Sequence, residues 1–200
     1  MEQLKRQALI SLVRQHGVVR SRDLQRFSIG RTYLRRLQEE GVLVRAARGT
    51  YRLANLPATE NTPLVEAACR VPRGVVCLLS ALRFHRVGSQ LPRQVWIAVD
   101  RKAWKPRVPE LPLRVVRFSG LAMTEGIERR EAEGLWFSVY SVAKTVTDCF
   151  KYRNKIGLDV ALEALRDCRR RHLCSVKDLW YYAGINRVQR VMKPYVEAIG

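Results

Sequence analysis

The sequence predicts an α+β protein with an N-terminal winged helix-turn-helix domain. A basic helix-turn-helix pattern is followed by a basic β-hairpin, β-rich segments occupy the middle of the chain, and helical patterns fill its last third. We place the domains at 1–57 and 58–200, because residues 54–63 are polar and contain two prolines. The second domain is expected to be α+β, with a small antiparallel or mixed sheet followed by C-terminal helices.

The first helical patterns are amphipathic. We expect a helix over residues 2–15, with Leu9 and Val13 on its buried side. Ser21 can begin a short second helix by capping its free amide groups, and Leu24 falls on the inner side of that helix. Both helices should support the helix that follows them.

A third helix is expected over residues 31–40, between a break at Gly30 and a stop at Gly41. Leu34 and Leu37 share its buried face. On the opposite face, arginine can donate two hydrogen bonds to guanine in the major groove, and a threonine methyl can contact thymine. The predicted base-facing set is Thr32, Arg35, Arg36 and, one turn on and further from the bases, Glu39; Arg31 is a further predicted DNA-binding residue.

A basic hairpin follows the third helix. Residues 42–45 and 50–53 predict two short strands joined by residues 46–49. An ordinary helical hairpin with solvated arginines is the alternative, but the order of helix, turn, helix and basic hairpin favours DNA binding. The hairpin is therefore predicted to be a wing whose phosphate-seeking residues are Arg45, Arg48 and Arg52.

The composition indicates a polyanionic partner. The chain has 37 Lys and Arg against 18 Asp and Glu, a net charge of +19, and such an excess attracts nucleic acid. No apolar run approaches the length of a membrane span, and the sequence shows no signal-peptide pattern. We therefore expect a cytoplasmic protein that binds double-stranded DNA rather than a membrane.

The five cysteines are expected to be reduced, buried thiols, because their number is odd and no two have the close spacing that zinc sites use. Cys168, His172 and Cys174 lie close together in sequence. A fourth ligand for a zinc ion is missing, however, and arginines intervene. We therefore predict no metal site and no cofactor.

The second domain is predicted from its β-rich runs. Residues 95–99 and 113–118 should be strands, and residues 127–132 and 135–140 should form an antiparallel hairpin around a Glu-Gly turn. The apolar run at 75–79 fits either a strand or a buried turn. Three serines are expected to cap helices, namely Ser80, Ser141 and Ser175.

Basic residues outside the winged segment suggest a second nucleic-acid surface. The loop that follows residue 100 interleaves cations with Trp104, an arrangement typical of flexible nucleic-acid contacts. Packing of Trp104 on the sheet edge and simple solvation of the helix arginines are the alternatives. The candidates are Arg101, Lys102, Lys105, Lys151, Arg153, Lys155, Arg166, Arg169 and Arg170.

Lys144 and Asp148 lie one helical turn apart in the predicted helix that follows Ser141. Such a pair can handle a phosphate or take part in catalysis. It is more often an ion pair on the helix surface, because residues four apart face each other there. We therefore expect a surface ion pair.

An enzymatic alternative rests on Asp100 and Lys102. An acid, any residue and then lysine at the end of a strand is typical of metal-dependent nucleases. Such a site needs more carboxylates to hold Mg²⁺, and only Glu66 and Glu110 offer them.

A ribosome-associated basic protein is a weaker alternative. We predict no catalytic residue and a protein that is not an enzyme.

The chain resembles the AbiEi antitoxins of bacterial type IV toxin-antitoxin systems, which act in abortive infection. In the first domain the resemblance rests on RTYLRRLQEEGVLVRAARGTYRL. In the second it rests on four blocks in family order: VCLLSALRFHRVGSQLPRQVWIAV, LRVVRFSG, VYSVAKTVTDCFKYRNKIGLDVALEALRDC and MKPYVEAI.

The resemblance implies an autorepressor that binds inverted repeats in the promoter of its own operon through the winged domain. It also implies a second domain that counters a nucleotidyltransferase-like toxin. Antagonism in type IV systems does not require a stable complex between toxin and antitoxin, so no direct interface is assumed.

Overall fold

The computed structural model describes residues 2–16, 18–21, 24, 27, 29–47, 49–55, 59–104, 106, 108, 111–133 and 135–199. The chain forms two compact units. The first comprises Met1–Pro72 with Arg130–Phe137, and the second comprises Arg73–Arg129 with Ser138–Gly200. The assignment of 1–57 to DNA binding and of 58–200 to an antitoxin domain stays a prediction.

The first unit is built from helices and a three-stranded antiparallel sheet. Its helices are α1 (Glu2–His16), α2 (Arg31–Glu39) and α3 (Thr62–Arg70), and its strands are β1 (Val18–Arg20), β2 (Leu43–Ala47) and β3 (Thr50–Leu53). The strands lie in the order β1-β3-β2. Apolar residues from α1, α2 and the sheet form one core, which includes Leu9, Val13, Leu34, Leu37, Leu43 and Leu53.

The predictions for α1, α2 and the hairpin are confirmed to within two residues at each end. The helix expected to begin at Ser21 falls mostly outside the described residues, although Leu24 is buried as expected. Strand β1 was not predicted. It pairs with β3, with Val19 opposite Tyr51, and so extends the hairpin into a three-stranded sheet.

The larger sheet has the strand order β6-β5-β4-β8-β7; β4, β5 and β6 belong to the second unit, whereas β7 and β8 are each divided between the two units. Strand β4 pairs antiparallel with β5 and parallel with β8, and β5 pairs parallel with β6, so the sheet is mixed, as expected. The strands are β4 (Val75–Val76), β5 (Val95–Asp100), β6 (Leu113–Phe118), β7 (Ile127–Ala132) and β8 (Leu135–Tyr140). This sheet and its helices confirm the α+β class.

The helices of the second unit pack around one extended core. They are α4 (Leu78–Phe84), α5 (Leu121–Thr124), α6 (Val142–Lys151), α7 (Arg153–Ile156), α8 (Leu158–Arg170), α9 (Val176–Asn186) and α10 (Gln189–Ile199). Helix α6 lies at the centre, since every residue from Ala143 to Phe150 is buried. None of the helices in the described part of the chain combines the length and apolarity needed to cross a bilayer.

Two of the three predicted serine caps are confirmed. Ser141 accepts a hydrogen bond from the Lys144 amide, and Ser175 accepts one from the Asp178 amide at 3.0 Å. The prediction for Ser80 is wrong, because α4 begins earlier, directly after the two-residue strand β4. The buried hydroxyl of Ser80 instead accepts a hydrogen bond from the Trp96 amide at 2.9 Å and links α4 to β5.

Candidate nucleic-acid interface

Helix α2 presents two chemically distinct faces. Leu34 and Leu37 are fully buried in the core of the first unit. Arg31, Thr32 and the two arginines at 35 and 36 are exposed on the other side of the helix. The first turn contains no acidic residue, so the positive end of the helix dipole adds to the charge of Arg31. The geometry therefore fits the predicted reading face.

The two central arginines of α2 are held by exposed ion pairs. Arg35 Nε lies 2.9 Å from Glu39 Oε1, and the two side chains are 81% and 63% exposed. Arg36 Nε lies 3.4 Å from Glu40 Oε1, and its guanidinium lies 4.9 Å from the centre of the Tyr33 ring. Exposed pairs of this spacing contribute only about 0.3–0.5 kcal/mol. A phosphate or a guanine edge can therefore displace the glutamates at little cost.

Two of the three predicted wing residues project from opposite faces of the hairpin. In the register of β2 and β3, Arg45 lies opposite Tyr51 and Arg52 lies opposite Val44, so the two arginines project from opposite faces. Arg45 is exposed, whereas Arg52 is partly buried and its Nε has no hydrogen-bond partner among the described residues. Arg48 lies outside the described residues. Of the described wing candidates, Arg45 is the one oriented to reach a ligand.

The predicted second basic surface does not form one patch. Arg101 and Lys102 are exposed after β5, and Lys105 lies outside the described residues. The Trp104 ring is 90% exposed, so the alternative that it packs on the sheet edge is wrong. Three other candidates are engaged by neighbouring helices. Lys151 Nζ donates to the Asn186 carbonyl at 3.2 Å, and Arg153 donates to the Phe150 carbonyl at 2.9 Å. The Nε atom of Arg169 is buried.

The remaining candidates line two separate clefts of the second unit. We call the first the β6 cleft, which is lined by Gln94, Trp96, residues 113–117, Tyr152 and Lys155. We call the second the α8 cleft, which is lined by Arg86, Gly88, Ser89, Glu163, Arg166, Asp167, Arg170 and Arg171. The sequence analysis identified Lys155, Arg166 and Arg170 but missed Arg114 and Arg117. The alternation of polar and apolar residues along the short strand β6 predicts a strand and does not indicate a cleft beside it.

Two arginines of the α8 cleft are already paired with an acid. Asp167 accepts hydrogen bonds from Arg170 and Arg171 at 2.8 Å each and from the Gly88 amide at 3.2 Å. Burial acts to raise the pKa of Asp167, but these three donors outweigh burial and hold that pKa below its usual range. Glu163 adds a second carboxyl to the lining. The cleft thus has two carboxylates among four arginines, and one of these carboxylates already binds two of the arginines.

The Lys144–Asp148 pair is the main correction to the sequence prediction. The two side chains are 0% and 1% exposed, and Lys144 Nζ lies 2.5 Å from Asp148 Oδ1. The expected surface ion pair is therefore wrong, because α6 is surrounded by other elements and has no solvated face at these residues. The Asn186 amide donates a second hydrogen bond to Asp148 Oδ1 at 2.7 Å.

Aromatic rings complete the surroundings of this buried pair. The Lys144 ammonium lies 4.5 Å from the centre of the Tyr140 ring and 4.8 Å from that of the Phe118 ring, which are distances typical of cation-π contacts. Burial raises the pKa of Asp148, and Lys144 and Asn186 only partly oppose that rise. Its Oδ2 atom has no hydrogen-bond partner among the described residues. We interpret the pair as a structural element of the core.

The thiols and carboxylates offer little to a metal ion. The structure contains the five cysteines as free thiols, of which Cys69 and Cys174 are only partly buried, and the Sγ atoms of Cys168 and Cys174 lie 2.6 Å apart. The part of the chain that the structure describes contains no group of three His, Cys, Asp or Glu able to hold a metal. Asp100 Oδ1 accepts a hydrogen bond from the Lys102 amide at 2.8 Å. The nuclease alternative therefore gains no support from the described residues.

Comparisons with known proteins add two findings. Residues 7–54 match the family model described as "Transcriptional regulator, AbiEi antitoxin". The structure of the chain is similar to the crystal structure of the RV2827C protein from Mycobacterium tuberculosis, with a TM-score of 0.58 and 18% sequence identity. That likeness covers 88% of this chain and 70% of the other, and at this identity it shows a shared fold. No curated protein sequence matches the chain.

The matched segment coincides with the core of the first unit. It runs from α1 through α2 to the end of the β2-β3 hairpin, and so includes the exposed arginine face. Over residues 7–54, the match confirms the predicted resemblance to the AbiEi antitoxin transcriptional regulators; it does not extend to the four blocks of the second domain.

Proposed function

We propose that this protein is a DNA-binding autorepressor and the antitoxin of a type IV toxin-antitoxin system for phage defence. It binds inverted repeats in the promoter of its own operon through α2 and the wing. Its second domain counters a nucleotidyltransferase-like toxin without an obligatory stable complex. It acts in the cytoplasm and catalyses no reaction.

The exposed face of α2 carries the DNA-binding part of this proposal. Arg35 and Arg36 project from a helix whose other side is anchored by Leu34 and Leu37, and this helix lies in the segment matched by the regulator family. An anchored helix can enter the major groove without losing its own packing. The arginines can then donate to guanine edges, while Arg31, Arg45 and Arg48 contact phosphates.

The experiment is a fluorescence anisotropy titration of the chain with a duplex that carries the inverted repeats upstream of its gene. Arg35→Ala and Arg36→Ala should each weaken binding by about 1–3 kcal/mol if they contact bases. Arg14→Ala is the matched control, because Arg14 is an exposed helix arginine of the first unit outside the proposed surface. Affinity should also fall steeply between low and physiological salt, since several phosphates are neutralised at once.

Two results would contradict the DNA-binding proposal. Losses in Arg14→Ala as large as those at positions 35 and 36 would show a general charge effect and no reading face. A flat salt dependence would show that phosphates are not neutralised. A scrambled duplex of the same composition separates specific affinity from the non-specific attraction expected of a chain with net charge +19.

The antitoxin part of the proposal rests on the family resemblance and needs its own test. The chain is co-expressed with the nucleotidyltransferase-like toxin that the proposal expects in the same operon, and growth is recorded together with a promoter reporter. A variant carrying both Arg35→Ala and Arg36→Ala should derepress the reporter and still restore growth, because countering the toxin is assigned to the second domain. Failure of the unmodified chain to restore growth would refute the antitoxin assignment alone.

A further inference from the structure

The β6 cleft has an uncompensated positive charge. Its volume is about 530 Å³, and Arg114, Arg117 and Lys155 line it. None of the described residues that line it is an aspartate or a glutamate. Arg114 and Lys155 lie beside the aromatic rings of this cleft, and two cations beside one concave site attract an anion. A cleft of this volume is also within the usual range for a small-molecule ligand.

Comparison with the α8 cleft shows why the β6 cleft is the better anion site. In the α8 cleft, Asp167 already binds Arg170 and Arg171 at 2.8 Å each. An incoming anion would have to compete with that carboxylate. In the β6 cleft, no described lining residue is a carboxylate, and Arg117, whose side chain alternates to the other face of β6 from Arg114, donates through Nη1 to the carbonyls of Arg101 and Ala103 at 2.7 and 2.8 Å. Neutral carbonyls orient a guanidinium and leave its charge in place.

Aromatic rings lie beside these cations. In the register of β5 and β6, Trp96 lies opposite Arg114, and the Arg114 guanidinium is 5.6 Å from the centre of the indole. Lys155 Nζ lies 5.6 Å from the centre of the Tyr152 ring. Tyr152 is itself held in place, because its ring stacks on Phe118 at 5.7 Å. The cleft thus joins fixed π surfaces to positive charges.

We propose that the β6 cleft binds a nucleotide unit, with the base against Trp96 and the phosphate between Arg114 and Lys155. Flat bases stack on aromatic rings irrespective of their identity, and basic residues beside the ring pair with the phosphate. The unit is either a free mononucleotide or one residue of a single strand. The residues of this site all belong to the second unit, whereas α2 belongs to the first.

The test uses isothermal titration calorimetry on the full chain carrying Arg35→Ala and Arg36→Ala, so that binding at α2 does not contribute. The probes are AMP, pyrophosphate and a single-stranded DNA of four nucleotides. Arg114→Gln and Lys155→Gln should each weaken AMP binding about tenfold, because each removes one charge-assisted hydrogen bond. The matched controls Arg190→Gln and Lys193→Gln change exposed residues of α10 and should have no effect.

Further arms test the base and identify its source. Trp96→Leu should weaken AMP binding and leave pyrophosphate binding unchanged, because pyrophosphate has no base to stack. Binding of the four-nucleotide strand but not AMP, with the same response to Arg114→Gln and Lys155→Gln, would support the proposal and assign the unit to a strand. No binding of either probe would overturn it, as would equal losses in the α10 controls or equal affinities for AMP and pyrophosphate.

Discussion

Replacing Lys144 by methionine tests whether the buried ion pair stabilises the second unit as the structure indicates. Methionine has a similar volume and can keep the contacts with Tyr140 and Phe118, so the packing change is small. Asp148 then keeps one donor to its Oδ1, the Asn186 amide. Removing one partner of a buried pair costs about 3–5 kcal/mol, because the remaining charge has lost its compensation. We expect a loss in that range for Lys144→Met at neutral pH.

The loss should depend on pH in a defined direction. Burial raises the pKa of Asp148 in the folded chain, and Lys144 is the largest opposing influence. A carboxyl whose pKa is raised by folding contributes stability that is present below its unfolded pKa, at about pH 4, and is lost as the pH rises through its folded pKa. Without Lys144 the folded pKa is higher still. The destabilisation should therefore grow from acidic pH towards neutrality.

Urea denaturation at several pH values, followed by hydrogen exchange of the α6 amides, measures this effect in the second unit alone. The control is Lys144→Met combined with Asp148→Asn, which keeps the shape and the Asn186 hydrogen bond and removes the titrating carboxyl. The difference between the single and the double variant should grow with pH. A single variant that unfolds like the unmodified chain at every pH would refute the reasoning, because an unpaired buried carboxylate would then cost nothing.

The remaining predictions concern the acidic partners of arginines. Glu39→Gln should raise affinity for the promoter duplex about twofold, because it frees Arg35 from an ion pair that contributes about 0.5 kcal/mol. Fluorescence anisotropy at fixed salt measures this affinity, and Glu197→Gln on α10 is the control. Weaker binding by Glu39→Gln would contradict the prediction. Asp167→Asn should cost about 1 kcal/mol at neutral pH through weakened hydrogen bonds. Because the pKa of Asp167 is lowered in the folded chain, that stability is lost as the pH falls through the folded pKa. The difference should therefore vanish in acid, and a constant difference in urea melts would contradict the assignment.

The elements with strong periodicity were predictable from the sequence. Helix α2 follows from two leucines three residues apart between glycine breaks, and β7 and β8 match their predicted bounds, 127–132 and 135–140. Strand β1 was missed because three residues contain too little alternation to mark a strand. Its existence depends on pairing with β3, which is a tertiary contact.

The burial of Lys144 and Asp148 could not be derived from their spacing, because an interval of four residues is the same on a buried and on a solvated helix. The informative signal was the rest of the helix. Between residues 141 and 150 these two are the sole charged side chains, and they have opposite signs. A surface helix in a chain this rich in arginine would normally carry more charges. Isolated opposite charges within an apolar helix therefore favour a buried pair.

Net charge alone did not locate the functional surfaces, because many of the described arginines already bind a neighbouring group. On α2 the acidic partners are exposed and weakly held, so a nucleic acid can replace them. In the α8 cleft, Asp167 is 12% exposed and binds two arginines, so replacement is more costly. The β6 cleft has cations and no described carboxylate. The availability of positive charge to a ligand therefore depends on how easily its acidic partners can be displaced.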